Sequence, residues 1–437
     1  MTTLAPVTRT QTAGSTPAQP WTILYLDHTA KLSGGEIALA RLIGELDPAR
    51  VRAVVLLAED GPLVARLREA GVETHVLPLP SGVREVRKDT LGLSGLLKNV
   101  GRAGHLMRYA VQVARFAQQV GADALHCNSL KADVYGALAG RLVRLPVVWH
   151  VRDHIDPSYL PGPAVRAFRM LARRLPSYVV TNSESTLERL HLEGRRPHVV
   201  APSGYQLPAN LVVHDGLGAG ELREGAAGPA AWPVPIRVAL VGRLASWKGQ
   251  HVFLEAAQIV RQAGFDACFT LVGSALFGEA AYEARLRQIV ADAPNELGGG
   301  RVVFAGFQND VFAALRQTDI LVHASTTPEP FGQVVVEGMA VGLPVIGTDG
   351  GGVREIITHG ETGLLVPMGD APALARALMD LMNDPARARK IGEAGRAHVR
   401  AHFTAAHAAR KIERVYADLL GNKRSDPPRT PAAPAHD

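Results

Sequence analysis

Residues 327–357 read TPEPFGQVVVEGMAVGLPVIGTDGGGVREII, and residues 320–324 ahead of them form a short apolar run of strand type. Pro328 and Pro330 bracket Glu329; each fixes its own φ and pushes the preceding residue toward extended geometry, so the carboxylate is stiffly presented. Phe331-Gly332 opens a helix carrying Val334, Val335, Val336, Met339 and Ala340, which predicts backbone N–H groups and a positive dipole end beside Glu329. Glu337 follows inside this mostly apolar helix. Gly342-Leu343-Pro344 stops the helix, Val345-Ile346 forms a further strand, and Gly350-Gly351-Gly352 makes a turn where backbone can approach a ligand closely. A plain helix start, a surface acid and a loose turn have no need of this ordered package.

Working outward, the N-terminal half repeats the same rhythm. Strand-like segments at 23–26, 53–57, 74–77, 124–127, 147–150, 178–181 and 198–201 alternate with helical stretches, the pattern of a doubly wound parallel sheet. Residues 210–235 are rich in Gly, Ala and Pro and mark an interdomain linker. A second alternation follows, with strands at 236–241, 268–272, 302–305 and 364–366. Residues 405–420 carry a 3.6-period apolar stripe of Ala409, Ile412, Val415, Tyr416 and Leu419, a closing helix. The predicted organisation is a leader (1–20), an N-terminal Rossmann-like domain (21–207), a linker (208–233), a C-terminal Rossmann-like domain (234–401), a last helix (402–421) and a Pro/Ala-rich tail (422–437).

Ligands of such sheets sit off the carboxyl ends of the strands, which selects the candidate residues. Ser33-Gly34-Gly35-Glu36 opens a helix whose bare N–H groups suit a phosphate, although ordinary capping reads the same way. His150 ends the run PVVWH, which predicts an imidazole pointing into the crevice; a lone strand-end histidine is more often structural. Asp153 shares that loop, a second polar side chain beyond the strand's end. Arg243 and Lys248 flank a strand-to-helix turn, and Lys248 is the one lysine between 131 and 390 in a chain that writes most of its cations as arginine. A compact ammonium there suits a point contact on phosphate; the alternative is a solvated helix start. Gly273-Ser274 and Gly306-Phe307 close the loops after two further strands.

Glu329 and Glu337, eight positions apart with Phe331-Gly332 between them, resemble the donor-site motif of retaining GT-B glycosyltransferases. The following GTDGGGVREII resembles the next segment of glycosyltransferase family 4, and a weaker resemblance runs over residues 23–420. It implies two facing Rossmann-like domains with the last helix crossing back to the first. It implies a nucleotide-diphosphate sugar as donor substrate, UDP- or GDP-linked, with no other cofactor. Its residue roles place Arg243 and Lys248 on the diphosphate, Gly34 and Gly35 facing the phosphates, and His150 near the reaction centre. They place Gly273 and Phe307 at the base, Glu337 on the ribose, and Glu329 on a sugar hydroxyl. The N–H groups of Phe331, Gly332, Gln333 and Val334 then meet the sugar and diphosphate. Two rivals share the architecture: a nucleotide-sugar 2-epimerase and a non-catalytic nucleotide-sugar binding protein.

The 437 residues, 47% of them hydrophobic, allow two or three domains with ample core, and no apolar run is long enough to span a membrane. Residues 1–20 lack the apolar core of a secretory signal. Cys127 and Cys268 sit in apolar runs of different halves, which favours buried, reduced thiols in the cytoplasm. No CxxC or HExxH pattern, and no Asp-x-Asp of a metal-bound nucleotide sugar, suggests a metal site. Net charge is +6, concentrated in a basic stretch holding Arg84, Arg87, Lys88, Lys98, Arg102 and Arg108. Without a recognition motif or interleaved aromatics it does not point to nucleic acid. Two readings stay open: a solvated Arg-rich surface, or docking on an anionic leaflet at the inner membrane face to reach a lipid-linked or glycan acceptor.

Overall fold

The protein is described by a computed structural model covering residues 19–80, 96–208, 232–275 and 278–421, with backbone alone at 96–103. Most of the leader and linker, the tail, and Arg84, Arg87 and Lys88 lie outside the described residues, as do the side chains of Lys98 and Arg102.

Two separate parallel sheets carry the fold. The first runs β3-β2-β1-β4-β5-β6-β7, with β1 (Trp21–Asp27) near its centre, flanked by β2 (Val51–Leu57) and β4 (Ala124–Cys127). Its remaining strands are β3 (Glu73–Val76), β5 (Val147–Val151), β6 (Tyr178–Thr181) and β7 (His198–Val200). The second runs β10-β9-β8-β11-β12-β13, built from β8 (Ile236–Val241), β9 (Ala267–Val272), β10 (Val302–Gly306), β11 (Ile320–Val322), β12 (Val345–Thr348) and β13 (Leu364–Val366). In each, chain order reverses beside the first strand, the switch point where α/β sheets open a crevice. Strands covered by helices on both faces must be apolar throughout, and Ile23, Leu24, Tyr25 and Leu26 are all fully buried.

Alternation along β5 sorts its side chains between the two faces. Val147, Trp149 and Val151 join the cluster under the helix Leu130–Val143. Val148 joins the opposite cluster, which contains Leu39 and Leu42 of the helix Gly34–Gly44 together with Ala408, Ile412 and Tyr416. Gly136 lets the first of these helices press on its sheet, since a Cβ there would overlap Cys127 Sγ. Cys127 is buried as expected, but Cys268 is partly exposed, its Sγ 3.9 Å from Arg301 NH1.

The closing helix Ala405–Leu420 packs on the N-terminal sheet. Its Tyr416 hydroxyl lies 2.7 Å from Tyr25 Oη and 2.7 Å from His126 Nδ1. Glu413 accepts from the Asp47 N–H at 2.8 Å, and Lys411 donates to the Val200 carbonyl at 2.8 Å. Where this helix begins, its chain meets the segment leaving β7: Tyr205 N donates to Phe403 O at 2.9 Å and Ala405 N to Tyr205 O at 2.8 Å. Gly204 makes room, since a Cβ would collide with Thr404 backbone.

Candidate functional site

Glu329 is 6% exposed, and one of its oxygens gathers three partners. Lys248 Nζ donates to Oε1 at 2.5 Å, Ser325 Oγ donates to the same oxygen, and His323 Nε2 approaches it at 2.9 Å. Burial alone would raise this carboxyl; Lys248 and His323 outweigh it and hold it well below the usual range, so it is ionised. The triple glycine serves this loop rather than standing open. A Cβ at Gly351 would overlap Glu329 O, one at Gly352 would press on Pro330 and Phe331, and Gly352 N donates to Glu329 O at 2.9 Å.

Gly332, at φ 106°, begins the helix Gln333–Ala340, and no side chain caps it. The N–H groups of its first turn therefore keep their pull on an anion. Phe331 is buried against Phe403, so only its backbone can face a ligand. On the other flank Arg243 and Lys248 lie over the Trp247 ring, 5.7 and 4.6 Å from its centroid, and Gly249 (φ 72°) lets the turn pass the Ala324 carbonyl. Gly273 packs on the Gly242 carbonyl, joining the loops after β8 and β9. Phe307, after β10, is 54% exposed and so does not belong to the core.

The N-terminal domain brings a second uncapped helix start. Ser33 turns its hydroxyl to Glu36 instead of the backbone, and nothing crowds a Cβ at Gly34. Burial and Asp27 push the Glu36 carboxyl up to about 7. His150 departs from expectation. It is 2% exposed and its ring faces His126 and Arg152, because an even-numbered β5 residue points under the helix Gly34–Gly44 rather than into the open crevice.

The domains touch across this site. Arg41 NH1 donates to Glu337 Oε1 at 2.7 Å, both side chains 7% exposed. The carboxylate expected on ribose therefore holds a cross-domain arginine here. Burial raises Glu337 above the usual carboxylate value while Arg41 opposes it. Ser183 Oγ donates to Pro330 O at 2.5 Å, and Glu355 accepts from the N–H groups of Glu184 and Ser185 at 2.9 and 2.8 Å.

Residues 33–206 match the family model "Glycosyl transferase 4-like domain" and residues 234–398 match "Glycosyl transferases group 1". Anabaena HepE, solved in complex with UDP-glucose, superposes with a TM-score of 0.73 at 27% identity, over 91% of this chain and 100% of that one. The chain is a GT-B glycosyltransferase of the family-4 type. This glycosyltransferase is also 34% identical to the amylovoran biosynthesis glycosyltransferase AmsK of Erwinia amylovora, over 41% of its own length and 44% of that protein. It is 27% identical to the lipopolysaccharide core mannosyltransferase LpsB of Rhizobium meliloti, over 62% of its own length and 80% of that protein. The chain spans about a third to a half of the length of the first curated relatives it matches.

Four residues of the glycosyltransferase's site escaped the sequence reading: Arg41, Trp247, His323 and Ser325. Trp247 stands between the two cations already singled out, and that position was the available signal. Arg41 carried none, being one arginine among many on an ordinary helix.

Proposed function

We propose that this glycosyltransferase moves a sugar, with retention, from a UDP- or GDP-sugar to an acceptor hydroxyl. One observation carries the reading: an ionised buried carboxylate, Glu329, sits 2.5 Å from Lys248, with Lys248 and Arg243 both against the Trp247 ring and an uncapped helix start following Glu329 in the chain. A departing diphosphate accumulates charge as the anomeric C–O bond breaks, and preorganised cations and N–H groups stabilise that charge. Glu329, ionised, accepts a hydrogen bond from a sugar hydroxyl. Glu337 takes the ribose, which requires it to share or release Arg41. The acceptor oxygen bonds the anomeric carbon on the face the phosphate leaves, and its proton passes to the departing phosphate oxygen. Closure of the two domains excludes water that would otherwise hydrolyse the donor. The charge is supplied by side chains and helix starts, without a metal.

The acceptor we infer is a glycan or lipid-linked intermediate of envelope or exopolysaccharide synthesis, reached from the cytoplasmic side; the named activities of AmsK and LpsB support this class. Among the described residues no helix is long and apolar enough to cross a membrane. Met107 and Arg108 are both exposed on the helix Leu96–Gln119, which suits peripheral docking on anionic lipid. A thermal-shift panel of UDP-, GDP- and ADP-sugars tests the donor, since ligand at 100 times its dissociation constant stabilises by about 2.7 kcal/mol. An epimerised sugar from donor incubated alone would favour the 2-epimerase, and binding without turnover would favour a binding protein.

A further inference from the structure

Side chains alternate along β5, so His150 and Arg152 share a face one pitch apart, and Arg152 lies just past the strand's last residue, where the crevice begins. Its guanidinium is held by three neutral acceptors. Nε donates to Asn128 Oδ1 at 2.8 Å, NH1 to Ser203 Oγ at 2.8 Å, and NH2 to His150 Nδ1 at 3.3 Å. No ion pair reaches it among the described residues. Burial pulls it down to about 10, while the fields of Asp27, Glu36 and Asp153 oppose that fall. A desolvated charge resting on neutral partners is costly until an anion joins it.

Its position says which anion. Arg152 Cδ lies 3.6 Å from where a Gly35 Cβ would stand, under the first helix start. Ser203 is followed by Gly204, whose carbonyl accepts from Gln333 Nε2 at 3.4 Å, at the second helix start. Arg152 thus sits where the two uncapped N-termini face each other.

A proton inventory explains how it is held. A guanidinium only donates, so His150 Nδ1 accepts. His126 Nε2, 3.1 Å from that same nitrogen, must then donate to it. His126 Nδ1 accepts from the Tyr416 hydroxyl, which accepts from Tyr25. The ladder runs from the closing helix to Arg152 and leaves the guanidinium two N–H bonds for a ligand.

We propose that Arg152 binds the donor's diphosphate from the N-terminal side, and that His150, His126 and Tyr416 are positioning residues that fix its guanidinium plane. This rests on the donor reading above. His150 then acts through Arg152 instead of touching the sugar.

Calorimetry with UDP and GDP, and initial rates with the donor, test it in the full chain. Arg152→Gln is expected to weaken nucleoside diphosphate binding about 10- to 100-fold, the range for a hydrogen bond to a charged group, with Arg152→Lys between it and wild type. UMP, one phosphate shorter, is expected to lose less than UDP. His150→Asn, which keeps an acceptor near the Nδ1 position, is expected to hold donor KM near wild type, whereas His150→Leu raises KM at unchanged thermal stability. Equal nucleotide affinity in wild type and a folded Arg152→Gln would overturn the inference alone. A wild type that binds neither UDP nor GDP would overturn the donor reading and this inference with it. If His150→Asn and His150→Leu behave alike in KM, the positioning role is refuted.

Discussion

Replacing Arg41 by Gln removes the cation that bridges the domains at Glu337. The pair is 2.7 Å long with both side chains 7% exposed, so solvent screens it little. At that separation the attraction is about 6 kcal/mol for an effective dielectric near 20, before the cost of desolvating both groups. Removing one member of a buried pair costs about 3–5 kcal/mol, because the survivor stays buried and charged. In the open state both groups are hydrated, so this cost falls on closure and shifts the open-to-closed ratio by about 10²-fold or more. The sign with pH follows from Glu337. Burial already holds its carboxyl above the usual value and Arg41 opposes that, so losing Arg41 raises it further. A group whose value is raised in the closed state favours closure below its free value and opposes it as pH rises through the closed-state value. Small-angle scattering of the ligand-free Arg41→Gln protein should show an expanded radius of gyration at pH 8 that contracts toward wild type at pH 5. A radius indistinguishable from wild type at both values would refute the latch. Expansion of equal size at both would refute the role given to Glu337 ionisation.

Lys248→Ala and Arg243→Ala are each expected to lower turnover by about 10²–10³-fold, with a double variant far from additive; near-normal turnover in both singles would remove the clamp. Glu337→Gln is expected to weaken binding of the bare nucleoside diphosphate, and Glu329→Gln to spare it while cutting transfer; calorimetry showing the reverse would exchange their roles. Glu36, pushed up to about 7 by burial and Asp27, contributes stability at low pH that is lost as pH rises through that value, so Glu36→Gln should flatten the thermal-stability profile there. Anionic liposomes should pellet wild type at low salt but not a variant with Arg84, Arg87, Lys88, Lys98, Arg102 and Arg108 made neutral; equal pelleting, or none, would leave a soluble acceptor.

The two parallel sheets were legible because strands buried on both faces leave unbroken apolar runs, as Ile23 to Leu26 do, and the closing helix because its stripe is regular. Glu329 was legible because two prolines stiffen it. What surrounds Glu329 was not: His323 sits in a run that reads as strand and Ser325 just past it, and their convergence on one oxygen depends on how β11 ends. His150 drew attention over Arg152 because it ends the apolar run PVVWH, yet the two share a face and only Arg152 lies past the strand's last residue, where the crevice begins. The triple glycine suggested room for a ligand, whereas its room is taken by the Glu329 loop. Arg41 and Glu337 stand 296 positions apart, and only the docking of one domain on the other brings them together.

The two backbone hydrogen bonds joining Tyr205 to Phe403 and Ala405 have a mechanical consequence. A single covalent tether between two bodies is a swivel, free to twist as well as bend. Here the outgoing and returning chains are laced side by side, so the bodies are joined along a line, as by a door's pin. Rotation about that line needs little more than a few backbone torsions near Gly204 and Thr404, while twisting across it must break the lacing. Opening about that line is the motion the lacing opposes least, and reversing it returns Arg41 to Glu337, and Ser183 to Pro330, in the same register.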